Sequence, residues 1–145
     1  MNTLLSIIIP HLQGKKNLYE CLESIQVNIT HEIIIVDNNS TDNSVKNIKE
    51  KFPDIKVIHS EINRGYAGGC NLGAQHAKGE YLLFLNDDTI IHENAIDILF
   101  QMIVKDEKIS SAQPKILNYY NKDQFDYAGA SGGYIDYLGY PFSRG

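Results

Sequence analysis

Apolar residues along this chain fall into short runs separated by amphipathic stretches, and that alternation predicts an architecture. Residues 4–9 (Leu-Leu-Ser-Ile-Ile-Ile) read as a first strand, stopped by Pro10, which has no N–H to give a ladder. Leu18, Cys21, Leu22 and Ile25 then recur at helical spacing and predict a helix over 15–27. A β-branched second strand over 32–36 ends at Asp37-Asn38-Asn39-Ser40-Thr41-Asp42, residues that form turns and cap helices. Val45, Ile48 and Phe52 supply the apolar face of the element that follows, and residues 55–59 read as a short third strand. The cleanest run, Glu80-Tyr81-Leu82-Leu83-Phe84-Leu85, predicts a central parallel strand covered on both faces. A helix over 93–105 carrying Ile96, Leu99, Phe100 and Ile103 comes next, and then a fifth strand over 109–113 ending at Pro114. Strands alternating with helices give an α/β fold, a mostly parallel sheet flanked by helices.

Two stretches break the pattern. Asn63-Arg64-Gly65-Tyr66-Ala67-Gly68-Gly69-Cys70-Asn71-Leu72-Gly73 holds three glycines within five residues, as suits backbone that must approach a ligand or another element closely. With Ala74 and Ala77 following, a helix there packs tightly, and Gly79 is expected as its C′ residue. Beyond residue 115 no helical period survives, and six of the nine tyrosines lie between Asn118 and the end. We therefore expect an α/β domain over 1–115 and an irregular Tyr/Gly-rich segment over 116–145 with a short hairpin. The chain stops at Phe142-Ser143-Arg144-Gly145 without a closing element, so it is expected to be cut short of a further part.

Composition narrows the class. The chain has 145 residues, enough for one core, with ordinary hydrophobic and charged fractions. A net charge of −5 without a basic block argues against nucleic acid as a partner. Cys21 and Cys70 are too few for a disulfide scaffold and read as reduced thiols. Without a cationic signal region or a membrane-length apolar run, the expected location is the cytoplasm.

The candidate chemistry sits where strands end. A lone Asp87-Asp88 pair is more often a polar turn than a metal site. Here, however, Pro10-His11, Asp37-Asn38-Asn39 and Asn86-Asp87-Asp88 all follow strands, and parallel strands gather them on one sheet edge, where α/β folds bind ligands. Adjacent carboxylates repel unless a cation sits beside them, and oxygen-only donors suit Mg²⁺ or Mn²⁺ completed by substrate phosphates. A dinucleotide-binding domain needs its glycine-rich turn directly after the first strand, and this chain has Pro10-His11-Leu12-Gln13-Gly14 there. A signalling receiver needs an acid at that same place. The five histidines show no ligand spacing and read mostly as solvated. Lys15 and Lys16 read as the outer face of the first helix, and Cys70 as a packing residue, with no base near it in sequence.

Taken as an ordered set, Ser6-Ile7-Ile8-Ile9-Pro10, Ile34 through Asp42, Asn63 through Gly73 and Leu85-Asn86-Asp87-Asp88-Thr89 resemble the nucleotide-diphospho-sugar-binding half of a family 2 glycosyltransferase of the GT-A, Rossmann-like fold. The nearest subgroup by these motifs is the rhamnosyltransferase-like enzymes, and residues 126–145 resemble the segment that follows in that subgroup. The resemblance implies that Asp88 is the principal metal ligand and that Asp87 contacts ribose or the metal and its water. It implies that Pro10, His11, Asp37 and Asn38 line the nucleoside pocket, flanked by Asn63, Gly65 and Asn71. The chain departs from the family at Pro10-His11-Leu12-Gln13, where Pro-x-Tyr-Asn is usual, at Asn38 and at Asn86.

The expected function is inverting, metal-dependent transfer of a sugar from a UDP- or dTDP-sugar, dTDP-rhamnose among the candidates, to a glycan or lipid-linked acceptor in cell-surface polysaccharide synthesis. The cofactor is Mn²⁺ or Mg²⁺. The catalytic base is expected beyond Gly145, since Asp126 and Asp136 are poor candidates, and the longer protein could associate with the inner face of the plasma membrane. Two alternatives stand beside this: a nucleotide-sugar-binding module without turnover, and a sugar-nucleotidyltransferase, for which Gln13-Gly14-Lys15-Lys16 is a poor match.

Overall fold

The computed structural model describes residues 4–126 and 133–143. Parts of the late segment likened above to the family, 127–132 and 144–145, lie outside them. The chain divides into two compact units, Met1–Asp97 and Ile98–Gly145. In the first, β1 (Leu5–His11), α1 (Lys15–Ser24), β2 (His31–Asp37), α2 (Ile48–Lys51), β3 (Lys56–His59), α3 (Gly65–Gln75) and β4 (Tyr81–Phe84) alternate. Their four strands form one parallel sheet in the order β3-β2-β1-β4.

β1 is the centre of this sheet. All seven of its residues are buried. It pairs with β2 from Leu5↔His31 to His11↔Asp37 and with β4 from Leu5↔Tyr81 to Ile8↔Phe84. The expectation that residues 80–85 form the central strand is overturned, because β4 is an edge strand among the described residues. Tyr81 and Leu83 pack on the core, whereas Leu82 and Phe84 are 42% and 45% exposed. The reason is the placing of α3, which packs on β1 and β2 and leaves the same face of β4 uncovered.

Pro10 does not end the first strand either. Leu4 and Ile8 accept from Tyr81 and Leu85 N–H on the β4 side, and alternation puts Pro10 on that side too. The β4 ladder has stopped at Ile8, so the N–H that proline lacks has no partner to miss.

Two hydrophobic clusters sandwich the sheet. On one face Ile7, Ile9 and Ile35 meet Leu18, Cys21 and Leu22 of α1, together with Val45, Ile48, Leu85 and Ile96. On the other, Ile8, Ile34 and Val36 meet Leu72, Ala74 and Ala77. The second layer is thin because α3 turns glycines toward the sheet. A Cβ on Gly69 would stand 2.9 Å from Pro10 Cβ, and one on Gly73 would stand 3.1 Å from Val36 Cγ2. The glycine-rich stretch is therefore a helix lying close on another element.

Several boundaries move. α1 ends at Ser24, since Ile25 turns extended at φ −73 and ψ 109. Val45 and Ile48 are buried as expected, yet only Ile48–Lys51 is helical. Gly79 is not a C′ residue: α3 is capped by His76, and Gly79 instead passes so close to β1 that a Cβ would stand 2.7 Å from the Leu5 carbonyl carbon. Nearby, the Ser6 hydroxyl donates to Glu32 at 2.7 Å and accepts from Gly79 N–H at 2.9 Å.

α4 (Ala95–Lys105) starts after Asn94, a left-handed residue at φ 61. The buried Asp97 carboxylate accepts from the Asn28 side chain at 2.6 Å and its backbone N–H at 3.1 Å, which ties the start of α4 to the chain after α1. In the second unit the expected strand over 109–113 does not form. Only Ile109 and Ala112 there are apolar, and residues 110–113 are exposed. The unit's described residues hold one isolated bridge, Leu117↔Phe125, and a hairpin of β5 (Gly133–Ile135) and β6 (Pro141–Ser143). Among the described residues no helix is long and apolar enough to cross a membrane.

Candidate functional site

The sheet order makes β2, β1 and β4 neighbours, all parallel, so their carboxyl ends open on one edge. Backbone bonds stagger those ends. Asn38 N–H donates to His11 O at 2.8 Å, and Leu85 N–H donates to Ile8 O at 3.0 Å. Above them is an open cleft of ≈ 350 Å³ lined by Pro10, His11, Leu12, Gln13, Asn38, Asn63, Gly65, Tyr66 and Asp87. Of the nine residues singled out from the sequence, the cleft brings together six: Pro10, His11, Asn38, Asn63, Gly65 and Asp87.

Each is held by a traceable local cause. Asn38, 4% exposed, donates its amide to Gly65 O at 3.1 Å and so anchors the first turn of α3 to the end of β2. Asn63 accepts from Gly65 N–H at 2.8 Å, an Asx turn that starts the helix. Gly65 sits at φ 67, a left-handed conformation that side chains resist.

Three residues stand elsewhere. Asp37 is buried and occupied: one oxygen accepts from Ser40 N–H at 2.8 Å, and the other faces His59 Nδ1 at 2.9 Å. Asn71 is exposed on α3, outside the cleft lining. Asp88 is exposed beside Asp87, likewise outside the lining.

His11 lines the cleft, as the resemblance implies, but is not solvated. It is 1% exposed, with Nδ1 2.5 Å from Asp87 Oδ2 and Nε2 2.6 Å from the buried Ser44 Oγ. Ser44 in turn gives its N–H to Asp42 at 3.0 Å, and Asp42 also accepts from Gly14 N–H at 2.8 Å. These bonds, led by the Ser44 hydroxyl, pull the Asp42 carboxyl down to about 2. Ser44 was not identified from the sequence, and no spacing marks it. Tyr66 was noted only within its motif. It lines the cleft and is half exposed.

The thiols are inert. Burial, reinforced by the Asp87 charge, pushes Cys21 up to about 12, and burial also raises Cys70. Burial and the neighbouring Cys70 push the Tyr66 phenol up to about 12. None of these groups supplies a nucleophile near neutral pH.

Among the described residues no three His, Cys, Asp or Glu side chains cluster to form a ready-made metal cage. A cation that keeps water and takes phosphate oxygens needs only one or two carboxylates, and the adjacent Asp87 and Asp88 provide that hard donor set. The residues fit such an ion.

The sequence matches the Glycosyl transferase family 2 profile over residues 6–138. It is 38% identical over 132 residues to the glycosyltransferase GlyG of Streptococcus pneumoniae serotype 4, covering 87% of this chain and 42% of that protein. The chain thus spans less than half the length of that relative. Its fold is that of S. aureus TarS 1–349 in complex with UDP, with a TM-score of 0.64 and 21% identity over 80% of this chain and 40% of the other. The mannosyltransferase PcManGT from Pyrobaculum calidifontis, solved with GDP-Man and Mn²⁺, gives a TM-score of 0.63 at 21% identity over 80% of this chain and 34% of its own. With its parallel α/β sheet and a profile match over nearly its whole length, the chain belongs to glycosyl transferase family 2, on a GT-A architecture.

Proposed function

We propose that this chain is the donor-binding part of an inverting glycosyltransferase that takes a sugar from a UDP- or dTDP-sugar to a glycan or lipid-linked acceptor, in the cytoplasm. The observation that carries the reading is the meeting of three strand ends in one cleft, with Asp87 and the amides of Asn38 and Asn63 in its lining and Asp88 exposed beside Asp87. TarS with UDP, and PcManGT with GDP-Man and Mn²⁺, support the class of donor. In this reading residues 1–115 bind donor, and 116–145 lead toward an acceptor-binding part.

The residues divide the work by chemistry. Pro10, Asn38 and Tyr66 form a wall with one apolar ring, one amide and one aromatic ring, suited to a nucleoside. Asn63 and the backbone around Gly65 offer neutral donors that hold polar groups without added charge. Asp88, helped by Asp87, would hold a Mg²⁺ or Mn²⁺ ion that neutralises the diphosphate and stabilises the departing nucleoside diphosphate. Inversion requires a carboxylate to accept the proton of the acceptor hydroxyl. Asp136 is a poor base, because its carboxylate accepts from Leu138 and Tyr140 N–H at 2.8 and 3.0 Å. Asp126 is exposed, at the end of the isolated bridge.

The test is calorimetric titration of UDP, dTDP and GDP, and then of UDP-glucose, UDP-GlcNAc and dTDP-rhamnose, with and without Mn²⁺. Metal-dependent binding of one nucleotide class is expected. No binding of any of them would overturn the reading. Binding by a longer form that never consumes donor with any acceptor would favour a module without turnover.

A further inference from the structure

We infer that His11 is a positioning residue, which holds the Asp87 carboxylate in place and ties it to the Asp42–Ser44 turn. The inference rests on the donor-binding reading for its consequence but on geometry for its substance. Asp87 lies in the turn beyond β4, an edge strand among the described residues, and so outside any strand or helix that would fix it. His11 comes from the opposite situation, the fully buried central strand. Its ring bridges the two: Nδ1 meets Asp87 Oδ2 at 2.5 Å, and Nε2 meets Ser44 Oγ at 2.6 Å.

The bridge does not stop at Ser44. Ser44 N–H donates to Asp42, and Asp42 accepts from Gly14 N–H, the residue at the start of α1, which has no side-chain cap of its own. A continuous set of hydrogen bonds therefore runs from the loop before α1 to the acidic end of β4. Asp87 is an acceptor only, so the hydrogen between it and the ring belongs to Nδ1. His11 thus holds one oxygen of Asp87, which lines the cleft, while Asp88 is exposed beside it. Removing an outer partner of a ligating group commonly weakens metal binding by about 10–100-fold, because the ligand loses its orientation.

Two substitutions separate the two ring nitrogens. In His11→Asn the side-chain amide reaches about as far as Nδ1 and keeps a donor for Asp87. In His11→Gln it reaches as far as Nε2 and keeps only the Ser44 side. The measurements are UDP affinity with and without Mn²⁺, and melting temperature without ligand, for these variants, for Asp87→Asn and for His11→Gln/Asp87→Asn. Loss of His11 to Gln should weaken Mn²⁺-dependent UDP binding about tenfold or more. His11→Asn should recover most of that loss. The melting-temperature decrease of the double variant should be smaller than the sum of the two single decreases, the mark of coupled side chains. Equal UDP affinities for His11→Asn and His11→Gln, or additive melting-temperature losses, would overturn the inference. If the wild-type chain binds no nucleotide, the donor-binding reading falls and the additivity test alone decides whether His11 positions Asp87.

Discussion

Gly73 lies directly on Ile8: a Cβ at Gly73 would overlap the Ile8 Cγ2 methyl. The contact explains how α3 approaches β1 and β2 closely enough for Gly69 to lie on Pro10 and for Gly65 O to accept from Asn38. Overpacking of this kind costs about 1–3 kcal/mol, so Gly73→Ala should lower unfolding free energy by that order in denaturant titration. Adding Ile8→Ala should recover part of the loss. Gly14→Ala offers the control, because open space surrounds Gly14 while its φ of 104 strains any side chain. Its loss should be unaffected by Ile8→Ala.

The edge position of β4 makes a second prediction. Ile7, fully buried at the centre of the sheet, should cost about 2–5 kcal/mol when cut to alanine. Phe84, a larger side chain but 45% exposed, should cost clearly less. Chemical denaturation of Ile7→Ala and Phe84→Ala compares them. A larger loss for Phe84 would mean that the open face of β4 is covered in solution.

The acidic pair should prove unequal. Asp88 is exposed, whereas Asp87 has one oxygen against His11. Mn²⁺-dependent UDP binding should therefore suffer more from Asp88→Asn than from Asp87→Asn. Equal losses, or the reverse order, would reassign the principal ligand to Asp87.

Asp42 makes the fourth prediction, in acid. Its carboxyl is held at about 2 in the folded chain against an ordinary 3.8, so folding favours the charged form. The resulting stability is present above the unfolded value and is lost as pH falls from 3.8 through about 2. Asp42→Asn should be less stable than wild type near neutral pH, and the gap in melting temperature should narrow as pH falls through that window. A gap that stays constant with pH would assign the effect to something other than the charge.

Much of this was legible in residue order. Leu18, Cys21 and Leu22 mark α1 by spacing alone, and the β-branched run of Ile33, Ile34, Ile35 and Val36 marks β2, because period and branching act over a few residues. Pro10, Asn38 and Asp87 could be picked out because parallel strands put their ends on one edge whatever their order, whereas Asn63 and Gly65 came from the family resemblance. The order itself was not legible. The apolar run before Asn86 is compatible with a central or an edge strand, and only its pairing with β1 on one side decides it among the described residues. The burial of His11 was not legible because its partners are remote, Ser44 lying 33 residues away and Asp87 76. Local pattern fixes which way each residue leans on its own element. Only the packed sheet decides which distant side chain waits at the other end, and so whether a polar group at a strand end is solvated, like Asp88, or bound, like His11.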